Sequence, residues 1–418
     1  MSGLTRHPET RAALLGGFPL SEVFRLQRSH GPVYVYDLDG MERGARDLAE
    51  ALGPNGLVAY AAKANCAGSI LRRLAGVGIG ADVVSGAELE LARRSGVPTE
   101  KIVMSGVAKS DAEIDLALAR GIRSLQVESI EELKRIEARA RAQAVRARVS
   151  LRLNPNVNID SHAHIATGHD AAKFGVAREA WPVAAALALE SDSLAMVGVS
   201  VHVGSMLRKI EPYLAAARVV CEVARDWLGL GLPIELVDFG GGFGIDYGSG
   251  EVPPAPREFA LRSRELQAQA GLSGLQLIVE PGRSLVGAYG ALVTSVIQSK
   301  VSSTHRWVMI DAGMNDLIRP ALYGAHHRIE PLDRTPSGPS WRVVGPVCES
   351  SDDFGQHDLG DSPPAAVVIR DVGAYGFTLA SEYNGRALPA ELFVSAGKLV
   401  GTSPSPGTEA WIERRLRA

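Results

Sequence analysis

The stretch Leu57-Val58-Ala59-Tyr60-Ala61-Ala62-Lys63-Ala64-Asn65 decides how this chain is read. An apolar run this short, without a polar stripe, reads as a parallel strand buried on both faces. Lys63 closes the run. An ammonium at the tip of a buried strand is costly unless it is paired or its amine has become something else. A desolvated lysine is also a nucleophile toward carbonyls, so Lys63 is a Schiff-base candidate. The bland alternative is a lysine that marks a strand end and reaches solvent.

Working outward, the same texture recurs. With 57–63 as the first, candidate strands follow at 79–84, 102–105, 123–127, 148–154, 196–202, 234–239 and 275–280. Between them lie amphipathic segments rich in Ala, Glu and Arg, such as 86–94 and 130–145. Eight strand–helix alternations predict an α/β fold, a (β/α)8 TIM-like barrel, which typically occupies about 250 residues. An open doubly wound sheet is the rival, and the regularity of the units favours closure.

Beyond about residue 290, apolar runs at 291–297, 306–310 and 366–369 are separated by turn-rich stretches, 335–340 and 355–364, instead of helices. This predicts a second, mainly β domain. The strand-like Val33-Tyr34-Val35-Tyr36-Asp37 precedes the barrel and is expected to join it. The expected division is a barrel over 38–288 and a discontinuous β domain from 1–37 and 289–418.

The bulk numbers fit that size. The 418 residues are 46% hydrophobic and 22% charged, with a net charge of -3. Without a basic run, nucleic acid is not an expected partner. Neither a signal peptide nor a membrane span is expected. Three cysteines, Cys66, Cys221 and Cys348, argue against a disulfide framework and for a reducing, cytoplasmic setting.

In such a barrel the chemistry lies at the C-terminal strand ends. Those ends carry Lys63, Asp82 with Ser85, Ser105, Asn154, His202, Gly240-Gly241-Gly242 and Glu280. The triple glycine after the seventh strand lets backbone approach a ligand and offers a nest of N–H groups suited to phosphate. It lacks the lysine and hydroxyl of a P-loop. A Schiff-base lysine, a phosphate nest and a buried carboxylate together describe a pyridoxal phosphate site, in which Glu280 keeps the pyridine nitrogen protonated. The histidines His162, His164 and His169 lie among Ser, Thr and Gly without i, i+4 pairing, so a metal is not expected.

Seven separated motifs then carry a resemblance. They are Tyr60-Ala61-Ala62-Lys63-Ala64-Asn65, His202-Val203-Gly204-Ser205, Gly240 to Gly244, Glu280-Pro281-Gly282-Arg283, Met314 to Tyr323, Cys348 to Asp352, and Asp371 to Gly376. In this order, over about residues 30 to 400, the chain resembles the barrel-type pyridoxal phosphate decarboxylases, and within them the bacterial diaminopimelate decarboxylases. It departs from them at Met206, usually glutamine, and at Val372, commonly alanine.

The resemblance implies roles. Lys63 would hold pyridoxal 5'-phosphate, Asp82 would lie near Lys63, His202 would stack on the ring and Glu280 would pair with its nitrogen. Ser205, Gly240, Gly241, Gly242 and Tyr375 would bind the phosphate. Arg283, Arg319 and Tyr323, with Tyr375 beside them, would hold the substrate's distal carboxylate, and Glu349 its distal ammonium. Cys348 would return a proton to the reacting carbon. The implied reaction converts meso-2,6-diaminoheptanedioate to L-lysine and carbon dioxide. Cys348 and Glu349 would serve the other subunit's site, which implies a homodimer with shared active sites.

Two of these roles also make physical sense from the residues alone. Arginine recognises a carboxylate bidentately, and Arg319 in an apolar context needs an anion, unless it pairs structurally with Asp316. A carboxylate beside a thiol disfavours the thiolate, which suits a proton donor better than a nucleophile. Alternatives are the same chemistry on ornithine, arginine or a specialised intermediate, and a pyridoxal phosphate-binding regulator without catalysis.

Overall fold

Each of the eight apolar runs forms a parallel strand, and the eight close on themselves. They are Gly56–Ala61, Gly80–Val83, Ile102–Met104, Ser124–Val127, Ala147–Arg152, Leu194–Ser200, Leu236–Gly241 and Gln276–Glu280. This computed structural model describes residues 3–26, 31–155, 173–248, 250 and 252–417. Closure is made where the eighth strand meets the first, with Leu277 opposite Gly56 and Val279 opposite Val58. Every residue of the second, third, fourth, sixth and seventh strands is buried, which is why they read as unbroken apolar runs. Leu57, Ala59, Val103, Ala195, Val197, Leu236 and Ile278, from five different strands, form one apolar cluster.

Three of the helices that return the chain begin with a serine cap on the mouth side. Ser85, Ser110 and Ser129 side chains accept the N–H groups of Glu88, Glu113 and Glu132 at 3.2, 3.3 and 3.0 Å. Such a cap contributes about 1 kcal/mol and fixes the angle at which strand turns into helix. Ser85, read from sequence as one of the strand-end groups of the mouth, is therefore a helix cap.

By contact the chain divides into two compact units: Gly44–Ile245 with Val252–Ser284, which holds the barrel, and Met1–Arg43 with Asp246–Glu251 and Leu285–Ala418. The second unit is mainly β. Its spine is the twelve-residue strand Gly290–Val301. Over its first half this strand pairs antiparallel with Val33–Asp37 and Ala366–Arg370, and over its second half with Arg306–Ile310. Val33–Asp37 also pairs parallel with Ala390–Ser395. The early strand thus belongs to the β domain, as its position before the barrel suggested.

Alternation then sorts the faces. Val33, Val35, Ala291, Val293, Ala366, Val368, Ala390, Leu392 and Val394 share one buried cluster. On the other face Tyr34 and Tyr36 stack with ring centroids 6.0 Å apart, and Tyr36 stacks on Phe393 at 5.4 Å.

The turn-rich reading of 355–364 fails in its first part. Asp353–Asp358 is a strand, paired antiparallel with Ser340–Val344. Val343 lies opposite Gly355 and Val344 opposite Asp353, leaving Phe354 as an extra residue, and Gly355 has φ 88°. The glycine marks a β-bulge inside a strand.

Candidate active site

Lys63 does not end the first strand but follows it, in a single 3-10 turn over Ala62–Ala64. The turn is locked by its neighbours. The Tyr60 hydroxyl donates to the Asn65 carbonyl at 2.8 Å, Asn65 Oδ1 accepts the Ala67 N–H at 3.1 Å, and Ala61 N–H donates to the Pro281 carbonyl at 3.1 Å. Lys63 Nζ then lies 2.8 Å from Asp82 Oδ2, with the lysine side chain 35% exposed and the aspartate fully buried. The cation faces the mouth while its counter-charge sits beneath it. Burial pushes the Asp82 carboxyl up, the Lys63 ammonium opposes this, and the Glu280 charge adds to it.

Glu280 ends the eighth strand and is 6% exposed. Burial acts to raise its carboxyl, but the neighbouring His202 and Lys63 and a hydrogen bond from Asp238 outweigh burial and hold it below its usual range. It is therefore an anion near neutral pH. His202 Nδ1 is 3.6 Å from Glu280 Oε2 and also accepts the Gly241 N–H at 3.3 Å. These two roles compete, because a ring nitrogen that accepts an N–H has no proton to offer a carboxylate. At 3.6 Å the His202–Glu280 contact is proximity and not a hydrogen bond.

The glycine triplet has a tighter reason than a phosphate nest. A Cβ at Gly240 would lie 2.3 Å from the Val201 carbonyl oxygen, at Gly241 1.9 Å from that of Glu280, and at Gly242 2.1 Å from that of Gly204. The ends of the sixth, seventh and eighth strands meet backbone to backbone there, and no side chain fits. Two of the N–H groups expected to form the nest are also engaged inward, Gly240 with Asp238 Oδ1 at 2.9 Å and Gly241 with His202 Nδ1. Beside the triplet, buried Arg283 donates to Ser205 Oγ at 3.1 Å. Met206 has φ 60°, a left-handed backbone that side chains rarely adopt.

The barrel unit thus gathers Lys63, Asp82, His202, Ser205, Gly240 to Gly242, Glu280 and Arg283. The β unit holds the other candidates in three groups. Arg319 is 5% exposed; its Nε donates to His327 Nε2 at 3.2 Å, and its guanidinium lies 5.2 Å from the Tyr247 ring centre and 5.9 Å from that of Tyr323. Asp316, the structural anion that sequence offered Arg319, uses Oδ2 on the Gly313 N–H. Cys348 and Glu349 are both exposed, on a loop tied by Cys348 N–H to Asn384 Oδ1 at 3.1 Å and by the Tyr383 hydroxyl to Glu349 at 2.6 Å. Tyr375, at φ 55°, follows Asp371, at φ 60°, whose carboxylate pairs with Arg328 at 2.6 Å. Two non-glycine residues in the left-handed region so close together are a built, strained turn.

Sequence reasoning passed over three buried polar side chains of the barrel unit, Arg152, Gln126 and Asp238. Arg152 Nη1 pairs with Glu128 at 2.7 Å, Nη2 donates to the His202 carbonyl at 3.4 Å, and the guanidinium covers the Phe174 ring at 4.9 Å. Gln126 donates to Asp238 at 2.9 Å. A polar residue inside an otherwise apolar strand was the available signal. The histidines His162, His164 and His169 lie outside the described residues. Among the described residues no group of acidic, histidine or cysteine side chains is placed to hold a metal, and no helix is long and apolar enough to cross a membrane.

Comparison with known proteins agrees with this geometry. Residues 38–287 match the family described as pyridoxal-dependent decarboxylase, pyridoxal binding domain. The diaminopimelate decarboxylase of Zymomonas mobilis is 39% identical over 375 residues, 88% of each chain. Two solved structures are similar throughout. Diaminopimelate decarboxylase from Helicobacter pylori, complexed with L-lysine, is 38% identical, with a TM-score of 0.87 over 94% of this chain and 99% of that one. The Methanocaldococcus jannaschii enzyme, also with L-lysine, is 34% identical, with a TM-score of 0.90 over 99% of this chain and 98% of that one. By the barrel, the motifs and these relatives, the chain belongs to the pyridoxal-dependent decarboxylases and, within them, to the diaminopimelate decarboxylase family.

Proposed function

We propose that this protein removes one carboxylate of meso-2,6-diaminoheptanedioate as carbon dioxide, giving L-lysine, with pyridoxal 5'-phosphate held by the barrel. The observation that carries the reading is Glu280, a buried carboxyl held below its usual range in the same strand-end cluster as the Lys63–Asp82 pair. Those residues fit the cofactor chemically: an amine for its carbonyl carbon and a buried anion for its ring nitrogen. When bound, the protonated ring accepts the electron pair left by the departing carboxylate.

The chain's own groups then divide the work. Lys63 holds the cofactor, oriented by Asp82. Glu280 keeps a proton on the ring nitrogen, and His202 covers the ring face. Ser205, Tyr375 and the backbone at Gly242 take the phosphate, while Gly240 and Gly241, whose N–H groups are turned inward to Asp238 and His202, let the strand ends approach it. Arg283, Arg319 and Tyr323 hold the distal carboxylate by bidentate and hydroxyl contacts, and Glu349 holds the distal ammonium. Cys348 Sγ returns a proton to the carbon that lost carbon dioxide. The exposure of Cys348 and Glu349 supports a homodimer in which they complete the partner's site. Three free cysteines support a cytoplasmic setting.

A decarboxylase of ornithine or arginine has no use for Arg319 beside Arg283, because its substrate ends in a cation. A regulator without catalysis has no use for both Lys63 and Cys348. Carbon dioxide release measured across meso-diaminopimelate, lysine, ornithine and arginine tests the reading. Release from meso-diaminopimelate alone is expected. Preferred release from another substrate, or none from any, overturns it.

A further inference from the structure

Three carboxyls are buried at the barrel's strands: Asp238 and Glu280 on the adjoining seventh and eighth, and Asp82 on the second, with the first strand between it and the eighth. Asp82 has Lys63 against it. Among the described residues Asp238 has no cation as a hydrogen-bond partner: Oδ1 accepts the Gly240 N–H at 2.9 Å and Oδ2 the Gln126 amide at 2.9 Å. It is 0% exposed, and its seventh strand runs parallel to the eighth, with Asp238 opposite Ile278 and Gly241 opposite Glu280. The register shift between Asp238 and Gly241 leaves Asp238 and Glu280 on adjoining strands, two positions apart along the eighth.

We propose that Asp238 is a positioning residue for Glu280, holding that carboxylate in place by donating its own carboxyl proton to it. The inference rests on the cofactor reading above and adds to it the group that orients the ring-nitrogen partner. Asp238 lies opposite Ile278, and residues two apart on a strand share a face, so Asp238 and Glu280 lie on the same face of adjoining strands, where two buried carboxyls cannot both ionise cheaply. Burial first, then the Glu280 charge, push the Asp238 carboxyl well above its usual range, while the same contact lowers Glu280. The pair is pushed apart in opposite directions, with Asp238 as donor and Glu280 as acceptor. The Gln126 amide and the Gly240 N–H, both neutral donors, fix the orientation of Asp238 without forcing it to ionise. A chain of side chains from Gln126 to Asp238 therefore leads to Glu280. This is a second layer of contacts of the kind that keeps reactive groups in register.

Asp238 could instead be an ionised cap on the Gly240 turn, and the two roles differ in where the proton is. Infrared difference spectra of wild type minus Asp238→Asn, at neutral pH and without cofactor, should contain a protonated-carboxyl band. No such band overturns the inference. If Asp238→Asn does not fold, neutron diffraction on deuterated wild-type crystals decides, with a deuteron on Asp238 supporting the inference and its absence overturning it. Cofactor affinity gives a second readout. Asp238→Ala should weaken pyridoxal phosphate binding by about tenfold or more, and Asp238→Asn, which keeps an N–H donor, should stay within roughly threefold of wild type. Equal affinity in all three proteins overturns the inference. A wild-type protein that binds no pyridoxal phosphate overturns the cofactor reading itself, whereas binding without a proton on Asp238 removes only this addition.

Discussion

The barrel and the β unit each bury a glutamate, Glu280 and Glu391, and push the two carboxyls in opposite directions. At the barrel's strand ends Asp82 and Glu280 are held next to Lys63 and His202, and Arg152 in the same unit is paired with Glu128. In the β unit Glu391, 5% exposed, has only the Tyr36 hydroxyl to offset burial, and its carboxyl is pushed up to about 7. Of the groups assigned to substrate there, Arg319 is buried, and Tyr323, Cys348 and Glu349 are half-buried or exposed. The Lys63–Asp82 charge pair is thus set in place inside the barrel before any ligand arrives, while the β unit leaves Cys348 and Glu349 exposed. Preorganised charge is what lets a site stabilise a developing charge without rearranging.

The largest effect that can test this contrast is at Lys63. Borohydride treatment should fix pyridoxal phosphate to the peptide containing Lys63, and Lys63→Ala should remove the labelling and lower turnover on the order of a thousandfold or more. Label on another lysine would place the chemistry elsewhere. The same variant probes the β unit. Mixed with Cys348→Ala under verified subunit exchange, it should recover a fraction of wild-type activity, since one site in each heterodimer has both groups. No recovery would break the shared-site half of the comparison.

A smaller effect is expected at Glu280. Replacement by glutamine keeps the shape and removes the charge, so pyridoxal phosphate should still bind while turnover falls about a hundredfold. Near-normal turnover would show that the barrel's buried Glu280 is structural.

The smallest effect sharpens the contrast without touching activity. A carboxyl whose folded value lies near 7 stabilises fully below its unfolded value and loses that contribution as pH rises through about 7. Glu391→Gln, which retains the Tyr36 contact, should flatten the fall in melting temperature between about pH 4.5 and 7 and stabilise the protein at pH 7 by up to about 3 kcal/mol. An unchanged pH dependence would mean that Glu391 is solvated.

Much of this was legible in the sequence because burial on both faces leaves a direct trace. A parallel strand such as Leu194–Ser200 has no wet face, so its run of apolar residues announces it. Val33–Asp37 was legible for the same reason, since both its faces are covered. The strand Asp353–Asp358 was not, because only Phe354 and His357 are buried and the bulge at Phe354 sets them three apart, out of strand alternation. At the site, Lys63, His202 and Glu280 stand out as charge or imidazole beside apolar runs. Asp238 and Gln126 stand in equally apolar surroundings, but their role is to hold another side chain, which depends on register between strands far apart in sequence. The glycine triplet was found for one reason and is required for another, the close approach of three backbones.

The strand Gly290–Val301 pairs with a segment made before the barrel, Val33–Asp37, and that segment pairs in turn with Ala390–Ser395, near the end of the chain. During synthesis the first of these partners waits for the whole barrel to be translated. Contacts of such sequence separation form slowly from an open chain, because the intervening loop must first be closed. The barrel shortens that search. Its first and eighth strands are neighbours, so once it has folded, residues 56 and 277 lie side by side and the chain leaving each is tethered close to the other. The inserted domain acts as a clasp for the one it interrupts. Synthesis from the N-terminus therefore favours an order in which the barrel folds first, Val33–Asp37 then gains Gly290–Val301 on one edge, and its other edge waits for Ala390–Ser395.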